Sequence, residues 1–274
     1  MIKKRINNSL RLLVISIVFI LYISPLLLVL LNSFKTTKEF LLSPLSLPDK
    51  LNFQNYIEAF SKMNFINGFT NTIIVTVLST LFIVLFSSMT AYILVRRSWR
   101  FNRYMFFIMV GSMLIPFQAI MIPLLRIFGS IGMMNSKWAL IYMYIGFGAS
   151  LAVFIYHGFI KSIPLELEEA AMIDGATRIQ VFFYIIFPLL KPTTITIAVL
   201  DILWIWNDFL LPNLVLLRQS QMTLPLSTYR FYLTYTVDYG LLMAGLVMTV
   251  APLILIYVFL QRYIIKGIIK GSIK

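Results

Sequence analysis

The chain has 274 residues, 60% hydrophobic and 12% charged, with 23 Lys and Arg against 10 Asp and Glu for a formal net charge of +13. A mean hydropathy of +0.90 implies more apolar surface than one soluble core absorbs, which places the chain in a bilayer. The absence of cysteine and the single histidine, His157, exclude disulfides, thiol chemistry and a Cys/His metal cluster, so no metal site is expected.

A membrane span takes about 20 mostly apolar residues. Runs over 12–31, 69–95, 104–125, 138–160, 193–217 and 241–263 meet this, so the expected fold class is an all-α integral membrane protein with six transmembrane helices in one domain, 1–274. The first run follows the basic "MIKKR" but is too long for a signal's apolar core and lacks a small-residue cleavage site, so it reads as a retained helix. With the N-terminus inside, 15 of the 23 basic residues fall in the inner segments: Lys3, Lys4, Arg5 and Arg11; Arg96, Arg97, Arg100 and Arg103; Lys161, Arg178 and Lys191; Arg262, Lys266, Lys270 and Lys274. The positive-inside rule therefore places both termini in the cytoplasm of a multi-pass plasma-membrane protein. These charges flank spans and match anionic membrane lipid; nucleic acid is not an expected partner.

The first outer segment, Asn32 to Asn67, has room for a small amphipathic element whose role is not legible. Met105, Met109 and Met113 recur at helical spacing in the third run and, with no thiolate or imidazole beside them, read as flexible packing. His157 lies near the inner end of the fourth run, where an interfacial imidazole needs no special role.

The inner loop 161–192 is far longer than a turn requires, whereas its counterpart between the second and third runs is only "RRSWRFNR". In "SIPLELEEAAMIDG", Ser162 is placed to cap a helix, Pro164 fits a first turn, and Glu166, Glu168 and Glu169 complement the positive end of the helix dipole. Ala170 and Ala171 give a smooth surface, and Gly175 supplies backbone freedom for a bend into a second segment, Arg178 to Phe187, closed by Pro188 and Pro192. Two short helices meeting at an elbow are expected. On these residues alone the unit is either a solvated link between spans or a docking element.

In the fifth run, "DILWIWNDF" sets Asp201 and Asp208 two helical turns apart on one face, with Trp204 between them and Trp206 and Asn207 to the side. A carboxylate inside the bilayer costs about 2.5–3.5 kcal/mol on insertion scales, so both should face protein or water. An aromatic face with carboxylates and amides suits a sugar, and the same stripe also suits interhelical hydrogen bonding; both readings stand. Beyond it, Tyr229, Tyr232, Tyr235 and Tyr239 in the outer segment 218–239 serve either as membrane-interface anchors or as a partner contact.

"EAAMIDGA", followed by Phe182, Ile186, Pro188 and Pro192, resembles the EAA motif of ABC importer permeases. "PLLLVLLNSFKTTKEF", "NYIEAF", "PFQAIMIPLLRIFGSIGMMNS", "WNDFLLPN" and "QRYIIKGIIKGSIK" are similar to the smaller, six-span permease subunit of maltose-type carbohydrate importers, from about Pro25 to the end. The resemblance implies that the loop is the coupling helix docking in a cleft of an ATPase subunit. Glu169 would then make the polar contact, Ala170 and Ala171 the close seat, Gly175 the bend, and Asp174 a cap for the second helix. It also implies a second permease subunit, an ATPase dimer that binds ATP and Mg, and an extracytoplasmic solute-binding protein. The tail "GIIKGSIK" departs from the glycine- and alanine-rich ending common in that family, which weakens the implied contact of the tail with the ATPase dimer.

The chain carries no G-x-x-x-x-G-K-[ST], and no nucleophile-base set suggests an enzyme, so a transport subunit without cofactors of its own is expected. The alternative is an ion-coupled secondary transporter using Asp201 and Asp208. Such proteins carry inverted repeats, and no convincing trace of one is found.

Overall fold

A computed structural model of the chain describes residues 2–229 and 238–272, with side chains from 11 to 229, from 238 to 259 and at 261. Among the described residues every regular element is helical. The tail from 262 onward, Tyr232 and Tyr235 therefore lie outside the residues whose side chains are described. The chain divides into two compact units, residues 1–65 with 227–252, and residues 66–226 with 253–274.

The first unit holds α1 (Ile2–Asn32), α2 (Thr37–Leu42), α3 (Gln54–Lys62) and the first part of the helix beginning at Tyr239. From Arg11 to Tyr22, α1 leaves its side chains exposed, an apolar surface suited to lipid or another membrane subunit. The segment after α1 is tightly organised around the fully buried Lys35, whose Nζ donates to the Ser43 carbonyl at 2.8 Å and to Ser46 Oγ at 3.4 Å. Asn55 Nδ2 donates to the carbonyls of Ser33 and Lys35, both at 2.8 Å, while Thr36 caps α2 by accepting from Glu39 N at 3.3 Å. These bonds give the segment after α1, whose role is not legible in the sequence, a defined shape.

In the second unit, α4 (Phe65–Arg96) buries Asn71, Val75, Ser79, Ile83, Ser87 and Ala91, a stripe of small, polar and β-branched residues four apart. Lipid is as apolar as leucine, so such a face associates through close packing and hydrogen bonds rather than by escape from water. Its counterpart is α7 (Lys137–Ile160), where a Cβ on Gly148 would come 2.5 Å from Ile83 Cδ1. At one end, Lys137 Nζ donates to Asn71 Oδ1 at 3.1 Å, and Asn71 Nδ2 donates to the carbonyls of Ser220 and Met222.

Among the described residues four helices are long and apolar enough to cross a membrane: α1 from Arg11, α4, α7 and the helix from Tyr239. Two of the expected spans are not single helices. The run 104–125 is divided between α5 (Arg100–Ser112) and α6 (Phe117–Ser130), which bend by 104°. The break falls at Pro116, which has no N–H to donate and disfavours helical geometry at Ile115. The run 193–217 is likewise interrupted: α11 (Lys191–Asn207) ends on Asp208, whose ψ of 129° leaves the helix, and α12 (Leu210–Val215) follows. Counting each bent pair as one span brings the total to six, the second pair being Arg178–Leu189 with α11 at 74°.

Candidate functional site

The loop after α7 forms α8 (Glu166–Ile173). Ser162 does not cap it; its hydroxyl donates back to the Phe159 carbonyl at 2.7 Å, and the residue before α8, Leu165, offers no side-chain acceptor. The first-turn acids satisfy the positive helix end in its place. They divide by environment. Glu168 is buried, and its carboxylate accepts from Arg96 Nε at 2.6 Å and from the Tyr92 hydroxyl at 2.7 Å. Arg96 Nη2 also donates to the Ile163 carbonyl at 3.0 Å, so the end of α4 grips both the approach to α8 and its first turn.

Glu169, Ala170 and Asp174 are exposed, and Ala171 packs against the core. Ile173, on the same outward side, is 86% exposed, an isoleucine left uncovered by the described residues. The helix ends with Ala176 N donating to the Ala171 carbonyl at 3.0 Å and Gly175 N to the Met172 carbonyl at 3.1 Å, the paired bonds of a Schellman motif. That motif needs a left-handed residue, and Gly175 supplies it with φ of +89°.

Asp174 is the C-cap that follows α8 and does not cap the second helix. Thr177 does: its hydroxyl oxygen accepts from Gln180 N at 3.4 Å while Gln180 Oε1 accepts from Thr177 N at 2.8 Å, a capping box. After α9 (Arg178–Gln180) the chain widens into a π-helical turn, Val181–Ile186, before α10 (Phe187–Leu189). Pro188 cannot donate to the preceding turn, which accounts for the loosened ladder. Phe182, inside this turn, packs its ring 5.3 Å from that of Tyr92, so the elbow and α8 share one buried anchor.

A second cluster stands where α11 ends. Tyr144 of α7 is fully buried; its hydroxyl donates to Asp208 Oδ2 at 2.9 Å, and its ring meets that of Trp204 edge-on with centroids 5.4 Å apart. Asp208 Oδ1 accepts from Leu210 N at 2.9 Å, capping the chain as it re-enters helix. The structure therefore brings Trp204 and Asp208 together. Asp201 is buried, and its Oδ2 has no hydrogen-bond partner among the described residues. Asn207 is exposed and turned back on its own helix, donating to the Leu203 carbonyl at 2.8 Å, while Trp206 is buried against Phe69.

Arg96, Tyr92 and Tyr144 were not singled out as site residues from the sequence. Arg96 is legible there only as a span-flanking charge, and its partner Glu168 lies 72 residues away.

Long apolar helices, two bent pairs and a folded loop with an acidic helix define a multi-pass membrane protein. Residues 83–270 match the family described as "binding-protein-dependent transport system inner membrane component", and the chain belongs to that family. It is 47% identical to the probable starch degradation products transport system permease protein AmyC of Thermoanaerobacterium thermosulfurigenes, over 93% of each chain. It is 34% identical to the multiple sugar-binding transport system permease protein MsmG of Streptococcus mutans, over 99% of each. Among solved structures, a bacterial ABC transporter involved in the import of the acidic polysaccharide alginate superposes with a TM-score of 0.81 at 22% identity, covering 95% of this chain and 97% of the other. That likeness carries the fold.

Proposed function

We propose that the chain is a permease subunit of an ATP-driven importer and forms part of the path by which a sugar, in particular an oligosaccharide, crosses the plasma membrane. The observation that carries this is the two-sided α8: Glu168 is fixed from below by Arg96 and Tyr92, while Glu169, Ala170, Ile173 and Asp174 are left outward with no side-chain partner among the described residues. A helix held rigidly and left uncovered suits docking, and the resemblance of "EAAMIDGA" to the coupling motif names an ATPase subunit as its partner. The cargo is supported by the relatives named for starch degradation products and multiple sugars.

In this reading the loop 161–192 and both termini are cytoplasmic, in keeping with the distribution of basic residues. Two ATPase subunits bind ATP and Mg, a second permease completes the path, and a solute-binding protein delivers the sugar outside. Closure of the ATPase pair moves α8, Arg96 transmits that motion to α4, and the path alternates between its two faces. Trp204 with Asp208, and Asp201 deeper along α11, are the proposed path residues. Asn207 stands beside them, held by Leu203.

The test is an affinity pull-down of the tagged full-length chain from gently solubilised membranes, with co-purifying proteins identified by mass spectrometry. An ATPase, a second permease and a solute-binding protein are expected. Recovery of the chain alone, with ion-driven uptake in liposomes, would overturn the proposal in favour of Asp201 and Asp208 as ion sites.

A further inference from the structure

Beside the α8 anchor, the chain passes from α4 into α5 through Arg97, Ser98 and Trp99. Asn102 is buried and fixes this turn, its Nδ2 donating to the carbonyls of Ile93 at 3.2 Å and Arg97 at 2.9 Å. The turn and the end of α7 enclose a cavity of about 430 Å³, lined by Arg97, Trp99, Arg103, Phe106, His157 and Lys161 among others. Arg97 lies 5.6 Å from the Trp99 ring, and Phe106 stacks on His157 at 3.8 Å. These aromatic contacts give the walls definite positions.

Two properties identify the ligand chemistry. Three basic side chains, Arg97, Arg103 and Lys161, line the cavity, and no acidic side chain does. Cations gathered without a counterion call for an anion, and guanidinium forks match phosphate oxygens. The rim is apolar and open: the lining residues Trp99 and Phe107 are both exposed, and α5 exposes Phe101, Tyr104 and Ile108 beside it. A soluble anion has no use for such a rim, whereas acyl chains do. The cavity also stands where the apolar helices α4 and α7 both end, at the level of a membrane boundary. A basic pocket between spans at that level is the chemistry that takes an anionic headgroup.

We propose that this cavity is a binding site for the headgroup phosphate of an anionic phospholipid, with Arg97, Arg103 and Lys161 as its phosphate ligands and the α5 aromatics seating the acyl chains. Neither the importer reading nor the family assigns such a site, and the test does not use transport.

The full-length protein, purified in detergent with phosphatidylglycerol and phosphatidylcholine supplied in equal amounts, is analysed by native mass spectrometry for retained lipid. Phosphatidylglycerol is expected to be retained in preference, and an excess of inorganic phosphate is expected not to displace it. Each basic side chain near an anionic headgroup contributes about 1 kcal/mol, so Arg103→Gln/Lys161→Gln should weaken retention by roughly thirtyfold. Lys38→Gln, which removes a cation outside the cavity, should leave it unchanged, and Arg103→Lys/Lys161→Arg should keep it. Equal retention of the two lipids, or undiminished retention in the double Gln variant, overturns the site. Displacement by inorganic phosphate overturns the lipid assignment in favour of a free-phosphate site. Should the double Gln variant fail to fold, the lipid preference of the unaltered protein and the phosphate competition still decide.

Discussion

Glu168 Oε1 accepts from Arg96 Nε at 2.6 Å, with only 3% of the glutamate side chain and 15% of the arginine side chain exposed. Removing one member of a buried pair strands the other charge, which costs far more than the pair itself contributes. Glu168→Ala should therefore destabilise the protein by about 3 kcal/mol. Thermal unfolding of the detergent-solubilised chain checks this, and Arg96→Met/Glu168→Leu should recover a large part of the loss. Equal losses in the single and double variants would show that the pair does not act as a unit.

The neighbouring Glu169 should behave in the opposite way. It is exposed, so Glu169→Lys should cost only the favourable interaction of one first-turn acid with the helix dipole, about 1 kcal/mol. In the reconstituted complex the same variant should lose ATP-driven uptake, because reversing a charge on a docking face opposes the partner's complementary charge. Unchanged coupling would remove Glu169 from the proposed contact.

Gly175 tests the elbow without touching a neighbour. Its φ is +89° and an added Cβ meets nothing within 4 Å, so Gly175→Ala carries only the backbone penalty of a left-handed residue, about 1–2 kcal/mol. Gly175→Asn should cost less, since Asn tolerates that region better. Uptake per ATP hydrolysed should follow the same order, glycine above asparagine above alanine.

Gly240 is constrained by space. A Cβ there would lie 2.5 Å from the Lys35 carbonyl oxygen and 2.6 Å from Asn55 Nδ2, the amide that holds the segment after α1. Overpacking of this kind costs about 1–3 kcal/mol, and Gly240→Ala should also speed proteolysis between residues 36 and 52. Gly111→Ala, with nothing within 4 Å, is the control and should be neutral or slightly stabilising.

Tyr144→Phe removes the 2.9 Å bond to Asp208 while Asp208 keeps Leu210 N. A bond to a charged acceptor is worth about 1.5–3 kcal/mol, and that much stability should be lost. If the Tyr144, Trp204 and Asp208 cluster borders the path, the apparent KM for sugar shifts as well. A stability loss with unchanged KM assigns the cluster to packing.

The apolar runs, the basic flanks and the elbow of 161–192 were legible in the sequence because each is local. Hydropathy is additive along a run, a glycine after an amphipathic turn invites a left-handed residue, and acids gather at a helix's positive end. Local rules reached less far at the ends of elements. Ser162 had the right side chain for a cap and spends its hydroxyl on the previous helix, while Thr177 takes the role given to Asp174. Within the runs 104–125 and 193–217, hydropathy could not register the breaks at Pro116 and Asp208, because it scores apolarity and is blind to direction.

The sequence by itself determined a helical membrane protein with an acidic helix in the long loop 161–192. Only the tertiary structure decided which of the adjacent glutamates faces inward, that Arg96 receives it, and that Tyr144 meets Asp208. The physical reason is separation along the chain. An unpaired buried charge or hydroxyl is costly wherever it lies, so its partner is chosen by what folding brings within hydrogen-bond reach, and residues 64 or 72 positions apart carry no local sign of each other.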